Sequence, residues 1–248
     1  MRIAISGPQN TGKSTLIKSF LYTWKNYKTP DKTYRDIIKE KNLDHSSKTT
    51  AKNQKLILES LVEQQQQYKR LDNNVIHDRC TLDALAYTLW CHGKDKPDFG
   101  AAFVETQIEQ VKESMRVLDI IFLCEFDKNQ HVVDDGTRDV DMEYIQEMGN
   151  IYESLYQQYQ QHPGADVFFP KDDSPAIIKL PNSAQARIDL IAEYVTPEGN
   201  MYGDEHSILN PENLNELEQL IQQQKLAQEA EAADAELFKK ANNDIFGK

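Results

Sequence analysis

Gly7-Pro8-Gln9-Asn10-Thr11-Gly12-Lys13-Ser14 fits the pattern G-x-x-x-x-G-K-[ST], and Thr15 follows it. Glycines let the backbone wrap closely, so that successive N–H groups turn inward toward phosphate oxygens. A helix opening at Lys13 adds its positive N-terminal end. In such a loop the lysine reaches the β- and γ-phosphates of a nucleotide, and the serine holds magnesium. The expected nucleotide-binding residues are therefore Gly7, Asn10, Thr11, Gly12, Lys13, Ser14 and Thr15. A glycine turn carrying Lys-Ser by chance is the bland alternative. The apolar run before the loop and the helical pattern after it argue against that.

A second chemical stretch is Asp78-Arg79-Cys80-Thr81-Leu82-Asp83. Asp78 ends an apolar run, and in parallel α/β sheets ligands bind beyond the carboxyl ends of strands. A carboxylate there can bind magnesium or take the proton of an attacking hydroxyl. Asp78 is thus a candidate both for catalysis and, with Ser14, for metal binding. Arg79 can neutralise phosphate or orient a substrate, and Asp83, one helical turn on, could hold that arginine. A surface ion pair is the default for Asp-Arg alone. A third stretch, Asp134 to Asp141, is polar, contains Gly136 and sets Arg138 among acids. A lid that brings an arginine onto a transferring phosphoryl group has this composition. Asp141 is placed either to cap the next helix or to position Arg138; an ordinary acidic loop with a helix cap is the alternative.

These stretches need elements to position them. Arg2–Ser6, Asn74–His77, Asp119–Cys124 and Ala176–Leu180 read as short strands, the third as a continuous apolar run typical of parallel sheets. Helical patterns fall near residues 13–24, 34–41, 46–70, 81–90, 101–117, 142–162 and 184–194. Strands alternating with helices predict an α/β fold, a parallel sheet covered by helices on both faces. A break at Thr196-Pro197-Glu198-Gly199-Asn200 divides the chain into a domain at 1–196 and a tail at 197–248. Asn210-Pro211 is a helix start, and Leu214, Leu217, Ile221 and Leu226 make a thin stripe on a Gln/Glu-rich helical tail. A weakly docking tail helix is expected, with a protein-partner or oligomerisation helix as the sharper alternative.

Charge narrows the partners. The 248 residues carry a formal charge of −12, and −7 of it lies between Glu198 and the end. Neither part has the basic excess of a general nucleic-acid binder. No apolar run approaches the ~20 residues that span a membrane. Cys80, Cys91 and Cys124 are widely spaced and form no C-x-x-C pair, which points to a reducing cytoplasm rather than to structural zinc or a disulfide framework.

Taken together, Gly7–Thr15, Asp78–Asp83 with Tyr87, and Asp135–Asp141 resemble the P-loop kinases related to the nicotinamide-riboside kinase domain, within the nucleoside and nucleoside-monophosphate kinase group. The resemblance covers about residues 1–195. It implies a P-loop kinase-like fold with a five-stranded parallel sheet, and ATP and Mg2+ as cofactors. It also implies transfer of the γ-phosphoryl group to a nucleoside, nucleotide or related small-molecule acceptor, with Lys13, Asp78, Arg79 and Arg138 as the catalytic set. The family's Glu-containing segment near the acceptor corresponds to Thr29–Arg35, where Arg35 is the match, glutamate is absent and Asp31 is the candidate carboxylate. Two alternatives stand beside this expectation. One is a kinase of hydroxymethylated bases in DNA, as in some bacteriophage enzymes that resemble the group. The other is a regulatory P-loop ATPase or nucleotide-gated binding protein whose tail engages a partner.

Overall fold

The computed structural model describes residues 1–44, 46–69, 74–126, 141–161 and 164–201. The chain divides into two compact units, Met1–Asn200 and Met201–Lys248, and all the helices and strands described lie in the first. The tail helix expected beyond Asn210 and the arginine-bearing stretch up to Val140 lie outside the described residues.

Five strands form one parallel sheet: β1 (Arg2–Ser6), β2 (Tyr27–Lys28), β3 (Asn74–Asp78), β4 (Ile120–Cys124) and β5 (Ala176–Leu180), in the order β2-β3-β1-β4-β5. Central β1 pairs Ile5 with both Asp78 and Phe122, so the carboxyl ends of β1, β3 and β4 lie side by side. The strand absent from the sequence reading is β2, a two-residue edge strand. It is too short to show any alternation of polar and apolar residues.

Among the described residues, seven α-helices flank the sheet: α1 (Lys13–Thr23), α2 (Tyr34–Glu40), α3 (Ala51–Lys69), α4 (Thr81–Gly93), α5 (Ala101–Met115), α6 (Met142–Gln160) and, after β5, α7 (Ala184–Ala192). The expected helix over 46–70 is shorter. Ser46–Lys48 is a separate 3-10 turn, and α3 begins after Thr50, whose hydroxyl accepts from Asn53 N at 3.2 Å. A threonine in that position satisfies an otherwise orphan helix N–H, and it sets the true start. The helix α4 runs three residues past its expected end at Trp90, to Gly93. It is buried along most of its length because α3, α5 and α6 all pack against it.

Side chains on a strand alternate between its faces. Ala4, Ile121, Leu123 and Ile177 join one cluster with α2 to α6. The alternate residues Ile3, Ile5 and Phe122 are equally buried on the other face, where α1 and α7 pack together and the Phe122 ring meets Tyr194 at 6.4 Å. Helices therefore cover both faces. The turn at Thr196–Asn200 is fastened to this second layer: Trp24 Nε1 donates to Thr196 O at 2.8 Å and Tyr27 OH to Gly199 O at 2.8 Å.

One buried group works against the fold at low pH. His77 in β3 is fully buried, neither ring nitrogen has a hydrogen-bond partner among the described residues, and its ring faces Tyr68 edge-on at 6.0 Å. Burial lowers its pKa from 6.5 to about 4. Above pH 6.5 both the folded and the unfolded chain hold a neutral imidazole. Between 6.5 and about 4 only the unfolded chain takes up the proton, so stability is lost as pH falls through that window. The shift corresponds to a loss of about 3 kcal/mol. Urea titrations of wild type and His77→Leu between pH 7 and pH 4 should show wild type losing about that much more than the variant. Parallel losses would mean that the imidazole is not held neutral.

Candidate active site

The phosphate loop follows β1 directly, and its backbone is set by positions that ordinary side chains resist. Gly7 has φ 131°, and a Cβ there would come within 2.5 Å of Cys124 O. Only glycine fits this close approach between the loop and the end of β4. Asn10 and Gly12 adopt left-handed φ of 62° and 78°, and α1 then begins at Lys13. Thr11 Oγ1 donates to Pro8 O at 2.9 Å and closes the loop on itself.

Lys13 lies inside this loop. Its Nζ donates to Gly7 O at 2.8 Å, to Pro8 O, and to Thr11 Oγ1 at 3.3 Å. Burial, reinforced by the nearby Arg79 charge, lowers its pKa to about 7. Ser14 and Thr15 face the adjoining cavity, and Ser14 Oγ is 3.5 Å from Asp78 Oδ2. A hydroxyl and a carboxylate oxygen thus converge at the end of β3. Such oxygen donors suit magnesium, which takes one or two protein oxygens and completes its shell with phosphate and water.

Arg79 follows Asp78 with φ 75°, a left-handed conformation for a residue bearing a Cβ. Strain of that kind costs of order 1 kcal/mol or more and persists only where the surroundings impose it. Here they do. The guanidinium is held by Asp83 at 2.8 Å, reaches Gly7 O at 3.4 Å, and lies over the rings of Tyr34 and Tyr87, 5.1 and 5.7 Å from their centroids. Only 8% of Arg79 is exposed. Asp83 is fully buried and accepts four further hydrogen bonds, from Ser6 Oγ (2.9 Å), Gly7 N (3.3 Å), Cys80 N (2.9 Å) and Tyr152 OH (2.8 Å). Arg79 is therefore built into the wall of the site rather than hanging free above it.

A cavity of about 550 Å³ opens on these groups. The loop residues Gln9 to Thr15 line one part of it, Asp78, Arg79 and Tyr87 another, and α2 with the turn after it a third, through Tyr34, Arg35, Lys39 and Asn42. The helix α2 is fixed by a reciprocal cap in which Thr33 N donates to Asp36 Oδ2 at 2.8 Å and Asp36 N to Thr33 Oγ1 at 3.3 Å. Of the two acceptor-side candidates, Arg35 lines the cavity and Asp31 does not. Asp141 caps α6, its carboxylate accepting from Glu143 N at 2.9 Å. Arg138 lies outside the described residues.

Two contributors escaped the sequence reading. Arg187 of α7 is buried and donates to Thr11 O and Pro181 O, both at 2.6 Å, so it props the loop from the second helical layer. Tyr152 of α6 ties that helix to Asp83. Neither carries a local signal, because Thr11 and Asp83 are far away in sequence.

The model of a family of AAA domains, AAA_28, matches residues 2–165. No curated protein sequence matches the chain. Among solved structures, deoxyadenosine kinase from M. mycoides with bound dATP is 21% identical at a TM-score of 0.55, over 77% of this chain and 96% of that one. NadR in complex with NR is 16% identical at a TM-score of 0.54, over 78% of this chain but 51% of NadR. At such identities the likeness is one of fold. The chain belongs to the AAA_28 family of AAA domains, and its fold is that of the P-loop nucleoside kinases.

Proposed function

We propose that this protein is an ATP- and magnesium-dependent kinase that transfers the γ-phosphoryl group to a nucleoside, nucleotide or related small acceptor. The observation that carries the reading is one cavity that joins the phosphate loop to an aromatic and polar wall, with Asp78 on its lining. Its volume is that of a small-molecule site. A nucleotide-hydrolysing switch has no need of such a second compartment. The ligands bound by two proteins of similar fold, dATP and NR, support the same substrate chemistry.

Each residue has a defined task. Backbone N–H groups from Gln9 to Lys13 hold phosphate oxygens. Lys13 exchanges its loop carbonyls for the β- and γ-phosphates and neutralises charge there. Ser14 and Asp78 hold magnesium, which supplies electrostatic stabilisation of the phosphate oxygens. Asp78 alternatively takes the acceptor's proton. Tyr34 and Tyr87 line the cavity beneath Arg79, which presents charge at the cavity wall while Asp83 keeps it in place. Arg138 is the residue assigned to stabilise charge on the transferring phosphoryl group.

Lys13 gives this reading a thermodynamic signature. With a pKa of about 7, Lys13 is largely neutral at pH 8, and a phosphate ligand favours its charged form. ATP binding at pH 8 should therefore take up close to one proton per site. Near pH 6 the uptake should almost vanish. Calorimetry in buffers of differing ionisation enthalpy measures it, and in Lys13→Ala both the uptake and phosphoryl transfer should be lost.

Acceptor dependence separates the kinase from a slow ATPase. In wild type, a competent acceptor should stimulate ATP consumption. Asp78→Asn should depress turnover far more than ATP affinity, and excess magnesium should partly restore it if Asp78 serves the metal. Arg138→Lys keeps the charge but not the planar multi-donor fork, so it should depress transfer strongly, as should Arg138→Ala. If no acceptor stimulates wild type and Arg138→Ala hydrolyses ATP at the wild-type rate, the ATPase reading replaces the kinase.

A further inference from the structure

We infer that Arg187 is a positioning residue for the bound nucleotide: by holding the Thr11 carbonyl from α7, it aims the Gly12 N–H at the phosphates. This role rests on the kinase reading only in that Gly7–Thr15 binds ATP, and it needs no particular acceptor.

The geometry starts from one peptide plane. Arg187 is buried, and its Nη1 donates to Thr11 O and its Nε to Pro181 O, both at 2.6 Å. Thr11 O and Gly12 N–H belong to the same peptide unit. In a trans peptide these two groups sit on opposite edges of the plane and point in opposite directions. A carbonyl drawn toward α7 therefore turns the Gly12 N–H away from α7. Gly12 lines the cavity, and its N–H makes no hydrogen bond among the described residues. A donor is thus kept open where phosphate oxygens are to be held.

That plane needs an external hold. Glycine accepts φ of either sign, so a peptide beside it turns over more easily than one between bulkier residues. Gly12 has φ 78°, and the Thr11 hydroxyl is already spent on Pro8 O. A larger residue at position 12 is no remedy, because its Cβ would come within 3.3 Å of Arg187 Nη1. The arginine supplies from a rigid helix the order that the glycine lacks, and its second bond, to Pro181 O, fixes the guanidinium itself.

Charge adds a second argument. A neutral donor could staple α7 to the loop equally well, and a buried guanidinium is costlier to desolvate. Arg79 has Asp83 at 2.8 Å as its counter-ion, whereas Arg187 has no carboxylate within ion-pair reach among the described residues. Both of its acceptors are neutral carbonyls. A polyphosphate on the far side of the Thr11–Gly12 peptide would offset that buried charge, so nucleotide and Arg187 should stabilise one another.

The test reads nucleotide binding and therefore does not wait on an acceptor. It uses the full chain, isotope-labelled for NMR, with magnesium and the non-hydrolysable ATP analogue AMP-PNP. In wild type the Gly12 amide proton should move downfield on saturation, as a hydrogen bond to a charged oxygen forms. In Arg187→Met that movement should shrink. The Kd of the analogue should rise about tenfold, the worth of one hydrogen bond to a charged group. Arg187→Lys keeps the charge and one donor but not the fork that holds two carbonyls, so its Kd should lie between the two. Each Kd is taken where circular dichroism shows the variant fully folded. If Arg187 merely ties α7 to the loop, Arg187→Met will melt at a lower temperature yet bind the analogue as tightly as wild type, with the same Gly12 movement; that result overturns the inference. A Gly12 amide that stays put in saturated wild type overturns it without any variant. If the predicted shifts appear and no acceptor stimulates turnover, the kinase reading falls while the role of Arg187 stands.

Discussion

The active end of this fold depends on one buried carboxylate. Asp83 has no solvent exposure, and it accepts from five donors that come from different parts of the chain. Ser6 and Gly7 bring the end of β1 and the start of the phosphate loop. Cys80 N brings the first turn of α4, Arg79 the strained turn after β3, and Tyr152 the middle of α6. A buried ion taken alone is costly; one with every lone pair engaged is tolerated. Removing the charge would leave the Arg79 guanidinium buried without a counter-ion, a loss of about 3–5 kcal/mol. The same loss would free Arg79 from its left-handed turn, so loop, strand end and cavity wall would relax together.

That arrangement separates rigidity from chemistry. Gly7 is locked against Cys124, Thr11 O is held by Arg187, and Arg79 is held by Asp83. The groups assigned to meet ligand, by contrast, make local or long contacts: Lys13 to loop carbonyls, and Ser14 to Asp78 at 3.5 Å. A site on a fixed frame with adjustable tips loses little order when it binds phosphate.

Much of this was legible in the sequence because the information is local. The phosphate loop is a contiguous pattern, β4 is an unbroken apolar run, and Asp83 lies four residues after Arg79, the spacing that brings two side chains together on a helix. What was not legible is non-local or too short. The strand β2 exists because Tyr27 and Lys28 pair with the edge of β3, which no pattern over two residues can announce. Arg187 reads as an ordinary polar residue of a helix until Thr11 is brought beneath it from 176 positions away. The false start of α3 has a different cause: the polar run from Ser46 carries no hydrophobic period, so the cap at Thr50 had to be weighed against helix formers on both sides.

The strongly negative chain is no obstacle to a polyanionic ligand. Screening at physiological salt reduces exposed charges to a reach of about 8 Å, whereas charges within a partly enclosed cavity are screened much less. The field felt by a phosphate is then set by what lines the cavity, where cations outnumber carboxylates, and only weakly by the total of −12. At longer range the net charge of −12 opposes an extended polyanion such as DNA. A small nucleotide meets the cationic wall without that penalty. Concentrating positive charge inside an acidic protein therefore selects ligands by size as well as by sign.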